Sequence, residues 1–219
     1  MYPSEINCGV CNKLVVVQSI TSTNSIGSPD LDTRPAPMRR YNLSVEINRC
    51  PHCGYCRRNL ETANEGDKKI VNQERYQSQL SNTNFPETAN RYLCQALLDG
   101  EAKNLANQFW SYLSAAWACD DEGNIAASTT CRLNAAKTAQ YCVDNQISFG
   151  GDRDSEIAIM VDTLRRAKQF ELARSILKTH EGNCQNDTVD IVLQFQERLI
   201  SNNDFQHYTI EQAFEAVDN

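Results

Sequence analysis

The sequence lacks long hydrophobic runs: its longest uninterrupted apolar stretches, such as residues 157–161, are five residues long. A membrane-spanning helix needs about 20 apolar residues, so the printed sequence predicts no such helix. The first residues also lack the basic start and the apolar core of a secretory signal peptide. We therefore expect a cytoplasmic protein.

Motifs of known catalytic sites are missing as well. The chain contains no phosphate-binding loop, no His-Glu-x-x-His pair and no nucleophile elbow. Its histidines, at positions 52, 180 and 207, are scattered, with no matching acid or nucleophile nearby in the sequence. We predict no catalytic residue and no organic cofactor, and we favour a non-catalytic protein.

Cysteine, by contrast, is abundant, with ten residues in a chain of 219. Four of them form two Cys-x-x-Cys pairs, and each pair places two thiolates on one tight turn. The next residue, Asn12 or Gly54, tolerates the positive φ that directs backbone N–H groups at sulfur. Two pairs supply the four soft donors that a tetrahedral zinc ion requires. We predict one structural zinc ion per chain, bound by Cys8, Cys11, Cys50 and Cys53.

Metal binding also offsets the entropy cost of bringing the two pairs together. Closing the chain across the 38 residues between the pairs costs about 3 kcal/mol of loop entropy. A structural zinc ion contributes on the order of 10–16 kcal/mol in a small domain. Because a segment of about 58 residues with two short strands buries little apolar surface, we expect the ion to hold it folded.

Cys56 leaves an alternative ligand set open. The run Cys50-x-x-Cys53-x-x-Cys56 also occurs in ferredoxin-type iron–sulfur ligation, and Cys56 could replace a ligand of the zinc site. Zinc is favoured because a ferredoxin pattern needs a further cysteine and a proline, whereas the two separated pairs already complete four ligands. A redox-active dithiol at Cys8 and Cys11 is disfavoured, because thioredoxin-like motifs precede a helix and a strand-like run follows here.

The other features that resemble binding sites have structural interpretations. The five remaining cysteines fall in helical patterns or at helix ends, where a free thiol behaves as a small hydrophobic side chain. We interpret them as filling rather than as a second metal site: Cys94, Cys119, Cys131, Cys142 and Cys184. The aromatic residues between 109 and 117 have helical spacing and indicate packed core rather than a ligand-stacking box. The carboxylates of residues 120–122 indicate a solvated helix end rather than a cation site.

Charge is unevenly distributed along the chain. Residues 1–58 carry seven basic and four acidic side chains, a formal +3, and residues 59–219 carry 14 basic and 24 acidic ones, or −10. Four thiolates and one divalent ion would lower the first value to about +1. Six arginines (Arg34, Arg39, Arg40, Arg49, Arg57 and Arg58) still suggest nucleic acid as a partner. We expect such binding to be weak and steeply salt-dependent.

Residues 1–60 are predicted to form a β-type zinc ribbon. Residues 1–7 are expected to be a short lead into the first Cys pair. The β-branched run Leu14–Val17 predicts a strand that leaves the metal. The alternation of Tyr41, Leu43, Val45 and Ile47 with polar residues predicts a second strand that returns to the metal.

Residues 21–37, between the two predicted strands, should form an irregular loop. The segment is rich in Ser, Thr, Asn and Gly and has prolines at 29, 35 and 37. Loops of this length are usually functional or disordered. We expect this one to dock on the helical part of the chain and to form one composite binding surface with it, with Arg34 paired to a buried carboxylate there; a mobile loop is the alternative.

Residues 61–219 have helical periodicity and predict about eight helices, so the expected fold class is mainly α with a small N-terminal β part. The first four helices are expected at 68–80, at 86–100, from 105 to a break at 123, and at 125–143. A fifth helix is expected after a cap at Asp152 or Asp154, and a sixth is expected to start near Phe170. A seventh should be capped by Asn186 or Asp187, and the last should follow a Thr209/Gln212 capping box. The corners at 121–126 and 166–171 resemble the helix-turn-helix of tetratricopeptide repeats.

Several motifs together resemble a bacterial family of uncharacterised zinc-ribbon proteins with a helical-repeat tail. They are the two cysteine pairs, the second within the run Cys50-Pro51-His52-Cys53-Gly54-Tyr55, the loop 27–35 and the helical segment 115–121. The resemblance spans most of the chain. It implies the two-part architecture and the metal ligands, and it implies no biochemical activity.

Three functional classes follow. The leading one is a zinc-binding, non-catalytic protein-interaction module, in which ribbon and helices present surfaces to a protein partner. The second is a nucleic-acid-binding zinc ribbon. The third is an enzyme with a site between ribbon and helices, for which only the 21–37 loop is an indication.

Overall fold

The chain is mainly α-helical, with two small antiparallel sheets near its N-terminus, which confirms the predicted fold class. The computed structural model describes residues 2–20 and 22–217. The first sheet pairs β1 (Tyr2–Asn7) with β2 (Leu14–Ser19), and the second pairs β3 (Asn48–Arg49) with β4 (Cys56–Arg57). The helices are α1 (Leu43–Glu46), α2 (Glu65–Val71), α3 (Glu74–Leu80), α4 (Glu87–Glu101), α5 (Leu105–Asp121), α6 (Ile125–Asp144), α7 (Arg153–Arg166), α8 (Phe170–His180), α9 (Asp187–Ser201) and α10 (Ile210–Glu215).

The first sheet is a two-stranded hairpin around the first cysteine pair. The predicted strand over Leu14–Val17 is confirmed, but residues 2–7 are its partner strand rather than a simple lead. Val15 and Val17 point inward and are buried, whereas Val16 faces the opposite side and is exposed. The first sheet therefore contributes one face to the core and presents the other to solvent.

The predicted strand over Tyr41–Ile47 is wrong. Residues Arg39–Asn42 form a 3₁₀ turn, and α1 follows as a single helical turn. Leu43 and Ile47 lie four residues apart, so a helical turn places both against the helices, while Tyr41 is left 73% exposed. The Leu43 carbonyl accepts a hydrogen bond from the Tyr92 hydroxyl at 2.9 Å, a bond to the helical body that replaces a strand ladder.

The helical half follows the prediction closely after its first element. The helix expected over 68–80 is two helices, because the chain breaks at Asn72 and Gln73. The Gln77 side chain donates to the Val71 carbonyl at 2.6 Å, which satisfies an acceptor that a continuous helix would have used. The seven later helices begin where expected, including α10 with its Thr209/Gln212 capping box.

Three helix corners share one backbone geometry. Lys103, Gly123 and Lys168 have positive φ values of 55°, 66° and 60°. In each corner the next N–H donates to the carbonyl five residues earlier: Asn104 to Asp99, Asn124 to Cys119 and Gln169 to Leu164. This is the Schellman ending of a helix, and it folds α4, α5 and α6, and also α7 and α8, into successive helical hairpins. The corner at Lys103 was not among the two corners, 121–126 and 166–171, that resemble tetratricopeptide repeats in sequence.

The N-terminal segment shares its cores with the helices. Cys8, Tyr55 and Leu60 pack in one cluster with Ile70 and Tyr76 of α2 and α3. Leu31, from the 21–37 segment, belongs to the larger core of α5–α10. The division into a ribbon over residues 1–60 and a helical part over 61–219 stays a prediction, because no separate core distinguishes the first part among the described residues.

The described part of the loop, residues 22–37, docks on the C-terminal helices. The Leu31 N–H donates to the Tyr208 carbonyl at 2.9 Å, and the Ile210 N–H donates to the Pro29 carbonyl at 2.9 Å. Asp30 and Thr209 form an antiparallel bridge. Over residues 2–20 and 22–217, no helix combines the length and the apolar character needed to cross a membrane.

Candidate metal centre

The four predicted ligand residues converge at one point. The Sγ atoms of Cys8 and Cys53 are 3.7 Å apart, and so are those of Cys11 and Cys50. All four sulfur atoms lie within 4.8 Å of one another. This group could hold a metal ion, and each contact joins one cysteine pair to the other.

Two matching turns position the sulfur atoms. In the first pair, the Asn12 N–H donates to the Cys8 carbonyl at 2.7 Å, and in the second the Gly54 N–H donates to the Cys50 carbonyl at 2.9 Å. Asn12 and Gly54 both have positive φ, 56° and 80°, as the sequence predicts. Gly54 has a further requirement, because a Cβ there would lie 2.5 Å from a methyl group of Leu80.

Burial and hydrogen bonds act on the thiols in opposite directions. Burial raises the pKa of Cys8 and Cys53. At Cys50 burial acts the same way, but hydrogen bonds from the backbone N–H groups of Cys53 and His52 outweigh it and lower the pKa of that thiol. The second turn therefore already favours a thiolate at its first sulfur.

Residues outside the cluster hold the second turn against its neighbours. The Tyr76 hydroxyl of α3 donates to the Gly54 carbonyl at 3.1 Å and accepts from the Cys56 N–H at 2.9 Å. His52 Nε2 lies 3.3 Å from the Leu14 carbonyl oxygen, which connects the turn to β2. The contact made by Tyr76 was not predicted from the sequence; a tyrosine on the buried face of α3 was the available signal.

Cys56 lies outside the four-sulfur group. It is buried, and its thiol donates to the Gly54 carbonyl at 3.3 Å. A ferredoxin-like set of Cys50, Cys53 and Cys56 around one centre is therefore not formed. All ten cysteines are free thiols. Cys94, Cys119, Cys131 and Cys142 are buried, and Cys184 is partly exposed.

A second junction between the N-terminal segment and the helices is made of charges. Asp32 is fully buried; it accepts from Trp117 Nε1 at 2.8 Å and from Arg166 at 3.0 Å. Arg132 Nη2 is 3.7 Å away. Burial alone would raise the pKa of Asp32, but the two arginines and the hydrogen bonds from Trp117 and the Arg34 N–H lower it.

The carboxylates suspected of forming a cation site are bound by arginines instead. Asp120 lies 2.6 Å from Arg132 and 2.7 Å from Arg166. These bonds overcome burial and lower the pKa of Asp120 to about 2. The neighbouring Asp121 accepts from Arg34 at 2.6 Å. Arg34 therefore pairs with a carboxylate of the helices, as expected, but that carboxylate is 48% exposed rather than buried. The more deeply buried loop residue is Asp32.

The arginines that suggested nucleic acid are largely neutralised within the molecule. Arg40 pairs with Asp30 at 2.5 Å, and Arg58 pairs with Glu46 at 3.1 Å. Arg57 contacts Asp67 at 3.2 Å and also pairs with Asp99. Arg49 lies 3.9 Å from Glu87. This pairing reduces the positive charge that these arginines can present to phosphates.

Comparison of the chain with protein-family models, with curated proteins and with solved structures gives no match. We therefore infer the function from the geometry of the molecule.

Proposed function

We propose that this protein is a zinc-binding, non-catalytic interaction module, in which a structural zinc ion closes the N-terminal ribbon and the helices form a rigid scaffold. The distance between paired sulfur atoms supports zinc most directly. A tetrahedron with Zn–S bonds of about 2.3 Å has edges of about 3.8 Å, and the two Sγ–Sγ distances are 3.7 Å. A disulfide would need about 2.05 Å.

A structural role for the ion follows from the number of thiolates. Four sulfur ligands fill a tetrahedral zinc ion and leave no position for a substrate or a reactive water. The turn of Cys50 also lies in the core shared with α2–α4. An ion here would connect two turns that are distant in sequence and hold both against the helices.

The outer face of the β1–β2 hairpin is the best candidate for partner binding. Leu14 and Val16 are 56% and 60% exposed, and the pairing register places them on the same face as Asn7 and Glu5. The sheet has only two strands among the described residues, so each strand has one edge without a β-strand partner in this fold. Such an edge can accept an extended segment of a partner protein as a further strand.

Two earlier expectations remain part of this proposal. The three Schellman corners at Lys103, Gly123 and Lys168 support a tetratricopeptide-like arrangement of the helices. Membership of the bacterial zinc-ribbon family rests on the sequence resemblance alone.

Metal analysis tests the zinc assignment. Protein purified without chelator should retain one zinc ion per chain through extensive dialysis. Cys8→Ser and Cys53→Ser should lose it. Cys56→Ser is the matched control, because it removes a buried thiol three residues from Cys53 and should leave zinc content unchanged. Iron with visible charge-transfer absorption, or metal loss in Cys56→Ser but not in Cys8→Ser, would contradict the assignment.

A separate experiment tests the interaction surface. Tagged wild-type protein is used to capture partners from nuclease-treated cell lysate, in parallel with Val16→Glu and Ile125→Glu. Ile125 is 59% exposed at the start of α6 and provides a control of similar exposure. A protein partner should be lost with Val16→Glu and retained with Ile125→Glu, at equal zinc content. The same captured proteins in both variants, or capture that occurs only from lysate without nuclease treatment, would argue against the hairpin surface.

A further inference from the structure

Three potential metal ligands meet at the junction of α7, α8 and α9. Asp154 lies in the first turn of α7, His180 is the last residue of α8, and Cys184 lies in the connection to α9. Gly182, with φ of 73°, turns the chain between His180 and Cys184. One ligand atom from each of the three side chains lies within 4.8 Å of the other two.

Hydrogen bonds orient the aspartate toward the other two groups. Asp154 Oδ1 lies 2.8 Å from His180 Nε2, and Oδ2 accepts from the Gln185 N–H at 2.9 Å. The side chains of His180 and Asp154 are only 14% and 13% exposed. A metal-binding carboxylate is commonly held in this way by a backbone donor on its second oxygen.

The donor set matches a borderline divalent ion. Imidazole nitrogen, carboxylate oxygen and thiolate sulfur are the three donor types that zinc accepts. The charges of one carboxylate and one thiolate together balance a 2+ ion. Metal bonds of about 2.0 Å to nitrogen and oxygen would place these atoms about 3.3 Å apart, so binding would replace the 2.8 Å hydrogen bond with a slightly wider spacing.

Space for a fourth ligand lies beside the three side chains. A cavity of about 210 Å³ is lined by His180 and Cys184 and also by Glu181 and Asp190. A water molecule or one of these carboxylates can complete the coordination there. Three protein ligands with an open fourth position are the arrangement of sites that exchange ligands, unlike a closed four-thiolate site.

We propose that Asp154, His180 and Cys184 form a second metal site, which binds a divalent ion of the zinc class independently of the four-cysteine group. This site gives Cys184 a role other than filling, and the sequence signal for it is the spacing His180-x-x-x-Cys184. With three protein ligands it binds its ion less tightly than the four cysteines do. We therefore expect this site to lose its ion during dialysis and to bind one again when a divalent metal is added.

Cobalt titration of the zinc-loaded protein tests the proposal. After removal of free zinc, added Co²⁺ should bind at one further equivalent per chain and produce the visible absorption of a mixed-donor site with one thiolate. His180→Ala and Cys184→Ser should each weaken this binding at least tenfold. The matched controls are His207→Ala, at an exposed histidine, and Cys142→Ser, at a buried thiol outside the site; both should bind like the wild type.

Alkylation of Cys184 provides a second readout that is independent of cobalt absorption. Iodoacetamide modification of this partly exposed thiol, followed by peptide mass spectrometry, should be slowed by zinc or cobalt in the wild type and not in His180→Ala. His180→Cys, which keeps a soft ligand at this position, should restore part of the protection. Circular dichroism of Cys184→Ser, a change in a connection between helices, should match the wild type.

Metal binding at the second site can be tested independently of metal binding at the four-cysteine site. Cys8→Ser should lose the tightly held zinc and keep the second site. Cobalt binding without a thiolate band, equal cobalt affinity in the wild type, His180→Ala and Cys184→Ser, or a Cys184 alkylation rate that metal leaves unchanged would overturn the proposal.

Discussion

Two junctions in the molecule use opposite chemistry: one brings together two turns of the N-terminal segment, and the other joins that segment to the helices. At the four-cysteine group, four like groups are brought within 4.8 Å of one another, and they repel when ionised. At Asp32, one buried carboxylate meets the side chains of Arg132 and Arg166, so the chain supplies both signs of charge. The first junction could hold an added cation, whereas the second has both signs of charge within the polypeptide.

The difference predicts separate sensitivities. The cysteine junction belongs to the core of α2–α4 and should respond to chelators and thiol oxidation. The charge junction lies among α5, α6 and α7 and should respond to pH and to loss of one partner. Because the two lie in different cores, each should be removable while the other remains.

Chelation should have the largest effect. Structural zinc contributes on the order of 10 kcal/mol to folding of a small domain, so its removal should unfold the hairpin and the second turn. Hydrogen exchange of chelated protein should show loss of protection in β1–β4, with protection retained in α5–α9. Cys56→Ser with its metal in place should exchange like the wild type. Equal loss of protection across all helices would show that the two junctions do not act separately.

Asp32→Asn should be the most damaging change at the charge junction. It leaves Arg132 and Arg166 buried with one charge partner fewer, which typically costs about 3–5 kcal/mol. The Nε atoms of both arginines already lack a hydrogen-bond partner among the described residues, so the loss has no ready compensation.

The control for Asp32→Asn is Asp121→Asn. Asp121 pairs with Arg34, but its side chain is 48% exposed, so its loss should cost at most about 1 kcal/mol. Urea unfolding of both variants at neutral pH, monitored by circular dichroism, measures the two costs. Similar unfolding midpoints for the two variants would show that Asp32 contributes no more to stability than Asp121 does.

The sequence was sufficient for the four-cysteine group because local spacing encodes it. Each pair is a turn of known geometry, and Asn12 and Gly54 are marked by residue type. The partners of Asp32 could not be predicted from the sequence, because Trp117 and Arg166 are 85 and 134 residues away along the chain. No local pattern indicates which of many arginines will meet a given aspartate.

Helix positions were predictable for the same reason, and the exceptions are instructive. Capping residues such as Asp152 and Thr209 mark helix starts within four residues of sequence. The alternation from Tyr41 to Ile47 predicted a strand, but a strand also needs a partner, and β3 finds one over only two residues. At Leu43 and Ile47 contact with the helices decided the conformation.

Lowering the pH should weaken the charge junction in a defined window. The pKa of Asp120 in the folded protein is about 2, below its ordinary value of 3.8. Because the pKa of Asp120 is lower in the folded protein than in the unfolded chain, its ionised carboxylate stabilises the fold at pH values above the unfolded-state pKa. This stabilisation is lost as the pH falls from about 4 toward 2. The contribution at neutral pH is about 2 kcal/mol.

Asp120→Asn isolates this effect from other acid-sensitive groups. The variant should be less stable than the wild type at pH 7, and the difference in unfolding free energy should shrink as pH falls below 4. Asp30 acts in the opposite sense, because burial and the nearby Asp32 raise its pKa, so the comparison must be made between variants rather than on the wild type alone. A difference that is constant with pH would contradict the assignment.

The smallest expected effect is at a helix corner distant from the cysteine junction. Lys168 has a φ of 60°, which costs a residue with a Cβ about 1–2 kcal/mol. Relieving this strain with glycine is offset by the greater freedom of glycine in the unfolded chain. It is also offset by loss of the contact between the Lys168 ammonium and the Phe205 ring at 4.0 Å, so Lys168→Gly should change stability by less than about 1 kcal/mol. Gly123→Ala, at the corresponding position of the α5–α6 corner, should lower it by a similar amount. Thermal unfolding of both variants measures the pair.

The bridge between Asp30 and Thr209 also constrains the order in which the protein can be completed during synthesis. The loop around Leu31 leaves the ribosome early, but its backbone partners at Tyr208 and Ile210 are made almost 180 residues later. Asp32 remains hydrated until its partners Arg132 and Arg166 are made, because burying an unpaired charge is unfavourable. The cysteine junction, whose ligands are all present by residue 53, can close first. On the proposed zinc-binding function, we expect metal supply during translation to determine whether the loop docks onto a segment that is already folded.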